Sequence, residues 1–262
     1  MNILDTIIAK KKQEVYKRKS STTIAELENK SFFKNKIIEL KNYLLREDKT
    51  GIIAEFKRRS PSKGIISNAS SVSEITKAYT KYGASALSIL TDEDFFGGSL
   101  HDLEQGRENE IPILRKDFII DEYQLIESKA FGADVILLIA ACLTKNEVKQ
   151  FASSAKKIGL NVLLEIHNEQ ELDHICDDVD VVGVNNRDLK SFTVDVNRSI
   201  ILGEKIPVDK IKISESGIDN VETIKLLRQH NFRGFLMGEK FMKEKDPGEA
   251  FKIFTEELIK TK

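Results

Sequence analysis

Eight short apolar runs, each closed by a polar turn, constrain this chain more than any other feature. They are Ile52–Lys57, Ala86–Thr91, Ile113–Lys116, Val135–Ile139, Val162–Ile166, Val181–Asn185, Ile211–Glu215 and Gly234–Met237. Each is rich in Val, Ile and Leu and nearly continuous in apolarity, the pattern of strands buried on both faces. Helical patterns lie between them. Ser71–Tyr82 opens on SVSE, which spells a capping box, and Asp121–Phe131 stops before Gly132. Thr144–Ile158 is bounded by Thr144 and Gly159, and Asp219–His230 and Asp246–Ile259 follow. Strand and helix alternating in this way imply a parallel sheet, and eight units close into a barrel. The expected fold is therefore α/β, a (β/α)8 TIM barrel. An open doubly wound sheet is the alternative, but no GxGxxG follows the first strand.

The 262 residues suit one such barrel, spanning 1–262 as a single domain. Residues 1–48 precede the first strand. Met1–Lys19, Thr23–Asn29 and Lys34–Leu45 read as helices, too few for a separate domain, so they form a helical N-terminal extension packed on the barrel. The charge is balanced, 41 Lys and Arg against 42 Asp and Glu. No basic field would attract nucleic acid or a membrane surface, so any anion site must be local. The longest apolar run, Val135 to Leu143, falls far short of the roughly 20 residues that span a bilayer. Asp5 and Glu14 argue against a cationic targeting helix at the start. Cys142 and Cys176 form no CxxC pair and read as reduced thiols, one or both buried, in a cytoplasmic protein. The sequence is compatible with a monomer.

In barrels of this kind the active site lies at the C-terminal strand ends. The first run ends AEFKRRSPS, and strand alternation puts Glu55 and Lys57 on one face. The third ends at Lys116, the fifth at Glu165-Ile166, the sixth at Asn185-Asn186-Arg187 and the seventh at Glu215-Ser216-Gly217. One ionisable group in an apolar strand can be a structural ion pair. Five strands with polar ends on one side are hard to explain by packing, because each buried charge is costly unless paired or used. The loops after strands seven and eight commonly bind phosphate in such barrels. Here they carry Ser216-Gly217 and Gly238-Glu239, whose glycines let the backbone approach an anion. The Glu239 carboxylate is expected to point to solvent while its N–H donates. The histidines His101, His167, His174 and His230 show no metal-ligand spacing, and His167 reads as an exposed loop residue.

The segments IIAEFKRRSPSKG, LTDEDFFGGS, ILRKDFIID, GADVILLIA, LLEIH, VGVNNRDL, ISESGI and FLMGEKFM resemble, in order, the signatures of the indole-3-glycerol-phosphate synthase family. The likeness runs from about residue 3 to the end and includes the helical extension. It implies a carboxy-lyase of tryptophan biosynthesis, needing no cofactor and no metal, that acts on a small phosphorylated molecule. That substrate is 1-(2-carboxyphenylamino)-1-deoxyribulose 5-phosphate. The resemblance implies Lys116 as the general acid of ring closure. Glu165 and Glu55 are the carboxylates near developing positive charge, and Lys57 is a second acid or a phosphate ligand. Ser60, Gly217, Gly238 and Glu239 would belong to the phosphate site. Asn185, Arg187, Glu215 and Ser216 would belong to the substrate site, with Arg187 meeting the substrate carboxylate or orienting Glu165 or Asn185. Phe96, Phe118 and Leu137 would form an apolar wall. Phosphoribosylanthranilate isomerase, another phosphate-binding barrel, is the nearest rival. An Asp/Cys acid-base pair would serve it, and neither cysteine here ends a strand. A non-catalytic sugar-phosphate-binding barrel would keep the phosphate loops without the lysines and glutamates.

Overall fold

The computed structural model describes residues 3–61, 64–66, 71–189 and 191–260. Met1, where the first helix was expected to begin, lies outside them, as do Ser62 and Lys63 of AEFKRRSPSKG. Eight parallel strands close into a barrel: β1 Ile52–Phe56, β2 Ala86–Leu90, β3 Ile113–Lys116, β4 Val135–Ile139, β5 Asn161–Ile166, β6 Val181–Asn185, β7 Ile211–Glu215 and β8 Phe232–Met237. β8 pairs with both β7 and β1, which seals the ring. β8 begins two residues before Gly234, because a register shift between Phe232 and Gly234 lets pairing to β7 start early.

The longer helices of the barrel fall where the pattern places them. α4 (Val72–Lys81) is capped by Ser71, whose side chain accepts from the Glu74 N–H. α7 (Tyr123–Ala130) ends before Gly132, and α8 (Lys145–Lys157) opens on a Thr144–Glu147 capping box. α10 (Val221–Gln229) is capped by Asn220, and α12 (Pro247–Lys260) closes the fold. Four short helices give no periodic signal of their own: α5 (Glu93–Phe96), α6 (Leu100–Gly106), α9 (Asn197–Gly203) and α11 (Glu239–Met242).

The N-terminal segment departs from expectation in one place. α1 (Ile3–Ser21) and α2 (Ile24–Glu28) form, but Lys34–Leu45 is not one helix. A 3-10 turn over Ser31–Lys34 leads into non-helical chain, and only α3 (Leu40–Leu44) is helical. The barrel floor competes for this backbone. The Ile38 N–H donates to Asp134 and the Leu40 N–H to Asn161, each at 2.8 Å. α3 then plugs the bottom of the barrel, with Leu40 and Leu44 joining Ile53, Leu114, Leu163, Ile213 and Leu236 in the interior cluster. Alternation along each strand sends the other set, such as Ile52, Ala54, Ile113 and Leu164, outward against the helices. Interior and exterior cores thus divide by residue parity, and at the C-terminal ends of β1, β3, β5, β6 and β7 the interior positions turn polar.

Candidate active site

Above the apolar interior, the next inward positions are Glu55, Lys116, Glu165, Asn185 and Glu215, with Lys57 one step beyond β1. Period two explains the layer. Ile53 leads to Glu55, Leu114 to Lys116, Leu163 to Glu165 and Ile213 to Glu215. These groups line a cavity of about 470 Å³ that also takes in Ser60, Phe96, Phe118, Leu137, Arg187, Ser216, Gly217, Gly238 and Glu239. Every site residue expected from the sequence therefore meets in one space.

Lys116 is the electrostatic centre. Its ammonium lies 2.8 Å from Glu165 Oε2 and 3.7 Å from Glu215 Oε2. Burial opposes its charge, but Glu165, Glu215 and Glu55 outweigh burial and raise its pKa. Burial would also raise Glu165, yet Lys116 and His167 hold that carboxyl well below its usual range. Glu215 moves the other way: burial and the Glu165 charge push it up. Its Oε1 has no hydrogen-bond partner among the described residues. A second pair sits on β1, where Lys57 Nζ lies 2.8 Å from Glu55 Oε1.

Asn185 Nδ2 donates to Glu165 Oε1 at 3.2 Å, and its own Oδ1 accepts from the Arg187 N–H at 3.0 Å. Arg187 therefore orients Asn185 through its backbone. Its guanidinium lies 3.7 Å from Glu239 instead of reaching Glu165. The Glu239 carboxylate, expected in solvent, is thus only one-third exposed and paired. Asn186, next in the chain, is fully buried and donates to Ser214 and to the Ser216 carbonyl. That brace holds Ser216 at φ 67° and Gly217 at φ 74°, two consecutive left-handed residues after β7. Gly238 is required by a close approach, since a Cβ there would lie 2.8 Å from Glu55 Cβ and Oε1. The Phe96 and Phe118 rings stand 6.2 Å apart on the apolar side.

Three features escape sequence reasoning. Ile3, Leu4 and Ile7 of α1 also line the cavity, so the first helix forms part of its wall. Their amphipathic spacing is visible in sequence, but their target is not. Lys11 of α1 is fully buried, with Glu14 at 2.7 Å and Asp92 and Asp117 each at 2.8 Å. Asp117 also meets Arg115, an outward β3 residue with no exposed surface that continues to Glu127. The chain end is thereby tied to the residue following Lys116. His167, expected exposed, is 7 % exposed and lies between Glu165 and Glu171. The 3-10 helix Glu169–His174 folds back over it and supplies Glu171, a return no local pattern announces. Cys142 and Cys176 are unpaired and half-buried, neither one fully enclosed. Among the described residues no cluster of His, Cys, Asp and Glu could hold a metal ion, and no helix is long and apolar enough to cross a membrane.

A family profile described as indole-3-glycerol phosphate synthase matches residues 4–254. An indole-3-glycerol phosphate synthase of Bacteroides thetaiotaomicron is 48% identical over 254 residues, covering 97% of both chains. One from Acinetobacter baumannii is 37% identical over 252 residues, covering 95% of this chain and 94% of its own. Among solved structures, the tryptophan synthase alpha subunit of Legionella pneumophila superposes with a TM-score of 0.61 at 14% identity. That match covers 84% of this chain and 97% of that one and shows a shared fold.

Proposed function

The chain belongs to the indole-3-glycerol phosphate synthase family, and from that premise we propose how its own side chains carry the reaction. The protein is a carboxy-lyase of tryptophan biosynthesis acting on a small phosphorylated substrate. In 1-(2-carboxyphenylamino)-1-deoxyribulose 5-phosphate, the ring carbon bearing the carboxylate attacks the ketone carbon. Carbon dioxide leaves that ring carbon, then the new hydroxyl leaves as water, giving indole-3-glycerol phosphate.

Lys116 donates its proton to the ketone oxygen as ring closure turns that oxygen into a hydroxyl. This makes the carbonyl carbon a stronger electrophile. Positive charge grows on the anilino nitrogen at the same time, and Glu165, held as an anion by its cationic neighbours, faces it. Release of carbon dioxide returns the bonding pair to the ring and restores aromaticity. Dehydration then needs an acid at the departing hydroxyl and a base for the proton on the adjacent carbon. Lys57 and Glu55, paired at 2.8 Å, suit those two roles. The phosphate is received by Ser60 and by the backbone at Gly217, Gly238 and Glu239, and Lys57 can share that charge. Phe96, Phe118 and Leu137 receive the aromatic ring, and Ile3, Leu4 and Ile7 help exclude water. Residues 1–262 act as one barrel domain with 1–48 as its extension. It works as a cytoplasmic enzyme, monomeric and without nucleic acid.

The observation that carries this reading is Lys116 held at the cavity wall by two buried carboxylates, with the β1 lysine–glutamate pair lining the same space. The test is direct: purified protein, the carboxyphenylamino-deoxyribulose phosphate and a chelator, with indole fluorescence followed over time. The chain has no tryptophan, so the signal is the product's own. Failure to form product would overturn the reading.

A further inference from the structure

Two buried carboxylates share the single Lys116 ammonium, Glu165 at 2.8 Å and Glu215 at 3.7 Å. Like charges crowded in one buried site disfavour double ionisation, which favours a retained proton on one of the two. The residues behind them break the symmetry. Glu165 Oε1 faces His167 Nε2 and Asn185 Nδ2, each at 3.2 Å. Among the described residues Glu215 Oε1 meets no donor. The second imidazole nitrogen, Nδ1, lies 3.3 Å from Glu171 Oε2, an oxygen that also accepts the His167 N–H at 2.7 Å. A ring whose two nitrogens both face carboxylate oxygens is matched only by the doubly protonated form, because both nitrogens must then donate. The Nε2–H is poorly aligned on Glu165, so that contact is an ion pair more than a hydrogen bond.

We propose that His167 is a positioning residue for this reaction: held as an imidazolium between Glu165 and Glu171, it fixes Glu165, and not Glu215, as the carboxylate anion beside Lys116. The proposal rests on the assignment of Lys116 as the acid. When Lys116 gives up its proton, Glu165 loses its nearer cation at the moment the anilino nitrogen becomes positive. His167 supplies a cation that takes no part in that transfer. The groups that bear on His167 are Glu165 on the preceding strand, Glu171 on the 3-10 helix, and Lys116 and Glu215 across the cavity. Cys142, after β4, lies in the field of both Glu165 and Glu171. His167 itself is pulled down by burial but raised to about 9 by the two glutamates.

Nitrogen NMR of 15N-histidine-labelled wild-type protein, assigned by the signal lost in His167→Gln, reads the charge directly. Both His167 nitrogens are expected protonated at pH 7.5, and a neutral tautomer there overturns the proposal whatever the variants do. Kinetics then test the coupling. In folded H167Q, kcat is expected to fall about tenfold or more with KM within about twofold. The acid limb of its kcat–pH profile should move up by about one unit, because Glu165 has lost a cation. His167→Lys should return the limb toward its wild-type position. An acid limb unmoved in folded H167Q overturns the proposal. If H167Q does not fold, Glu171→Gln decides. Its His167 titration midpoint should fall by at least one unit, and an unchanged midpoint overturns the clamp. Wild-type protein that makes no product would sink the functional reading, while the NMR titration would still report the His167 charge.

Discussion

Lys116 Nζ and Glu165 Oε2 sit 2.8 Å apart at the C-terminal rim of the barrel, on β3 and β5, with Leu137 of the intervening β4 lining the same cavity. The pair reaches across β4 instead of lying along one strand, so its geometry depends on the pairing of β3, β4 and β5. Lys116→Ala should therefore abolish catalysis without unfolding the protein. A positioned general acid contributes on the order of 10²–10⁴-fold. Turnover should fall by at least about 100-fold while the circular dichroism spectrum stays that of a folded barrel, with a lowered thermal midpoint because the buried Glu165 and Glu215 lose their shared cation. Near-normal turnover in the mutant would refute the assignment.

Lys11→Met tests the tie between α1 and the mouth. It removes one cation from a buried cluster and leaves Asp92 and Asp117 facing each other with less compensation. Breaking a buried ion pair from one side typically costs about 3–5 kcal/mol. Urea unfolding should show a loss of that order. Because Ile3, Leu4 and Ile7 line the cavity, KM should rise as well. Unchanged stability and unchanged KM would show that α1 is held by other contacts.

Gly238→Ala introduces a Cβ 2.8 Å from Glu55 Cβ and Oε1. The neighbour is the root of a side chain, which cannot swing away as a flexible tip could. Overpacking of this kind costs about 1–3 kcal/mol, and Glu55 would be displaced from Lys57. We expect kcat to drop about tenfold or more, with a modest loss of thermal stability. A variant with full activity would mean that Glu55 has room to move.

The raised His167 pKa carries a stability signature. A group whose folded value lies above its unfolded one stabilises fully below the unfolded value, and that contribution is lost as pH rises through the folded value. With about 6.5 unfolded and about 9 folded, the difference in unfolding free energy between wild type and H167Q should be largest near pH 6. It should shrink by on the order of 3 kcal/mol towards pH 10. Denaturant titrations at a series of pH values measure it. A difference that grows with pH would contradict a charged His167.

The sequence by itself determined the barrel and most of the cavity wall. Strand periodicity is local: apolar runs with a change of chemistry at their C-terminal ends place Glu55, Lys116, Glu165 and Glu215 on the inward face without knowledge of any partner. Serine and threonine caps fixed helix starts for the same reason, because a cap binds a backbone group three residues away. Tertiary structure decided what long-range partners impose. Asp134 and Asn161 capture the chain before α3 and undo a helix that its own residues would permit. No local pattern marks Lys11 for burial; the loops after β2 and β3 bring Asp92 and Asp117 around it. His167 follows a strand, where a histidine would normally meet water, until Glu171 closes behind it. In each case the deciding energy is electrostatic compensation of a buried group. That quantity depends on where distant residues arrive once the ring has closed, and no window of the sequence contains it.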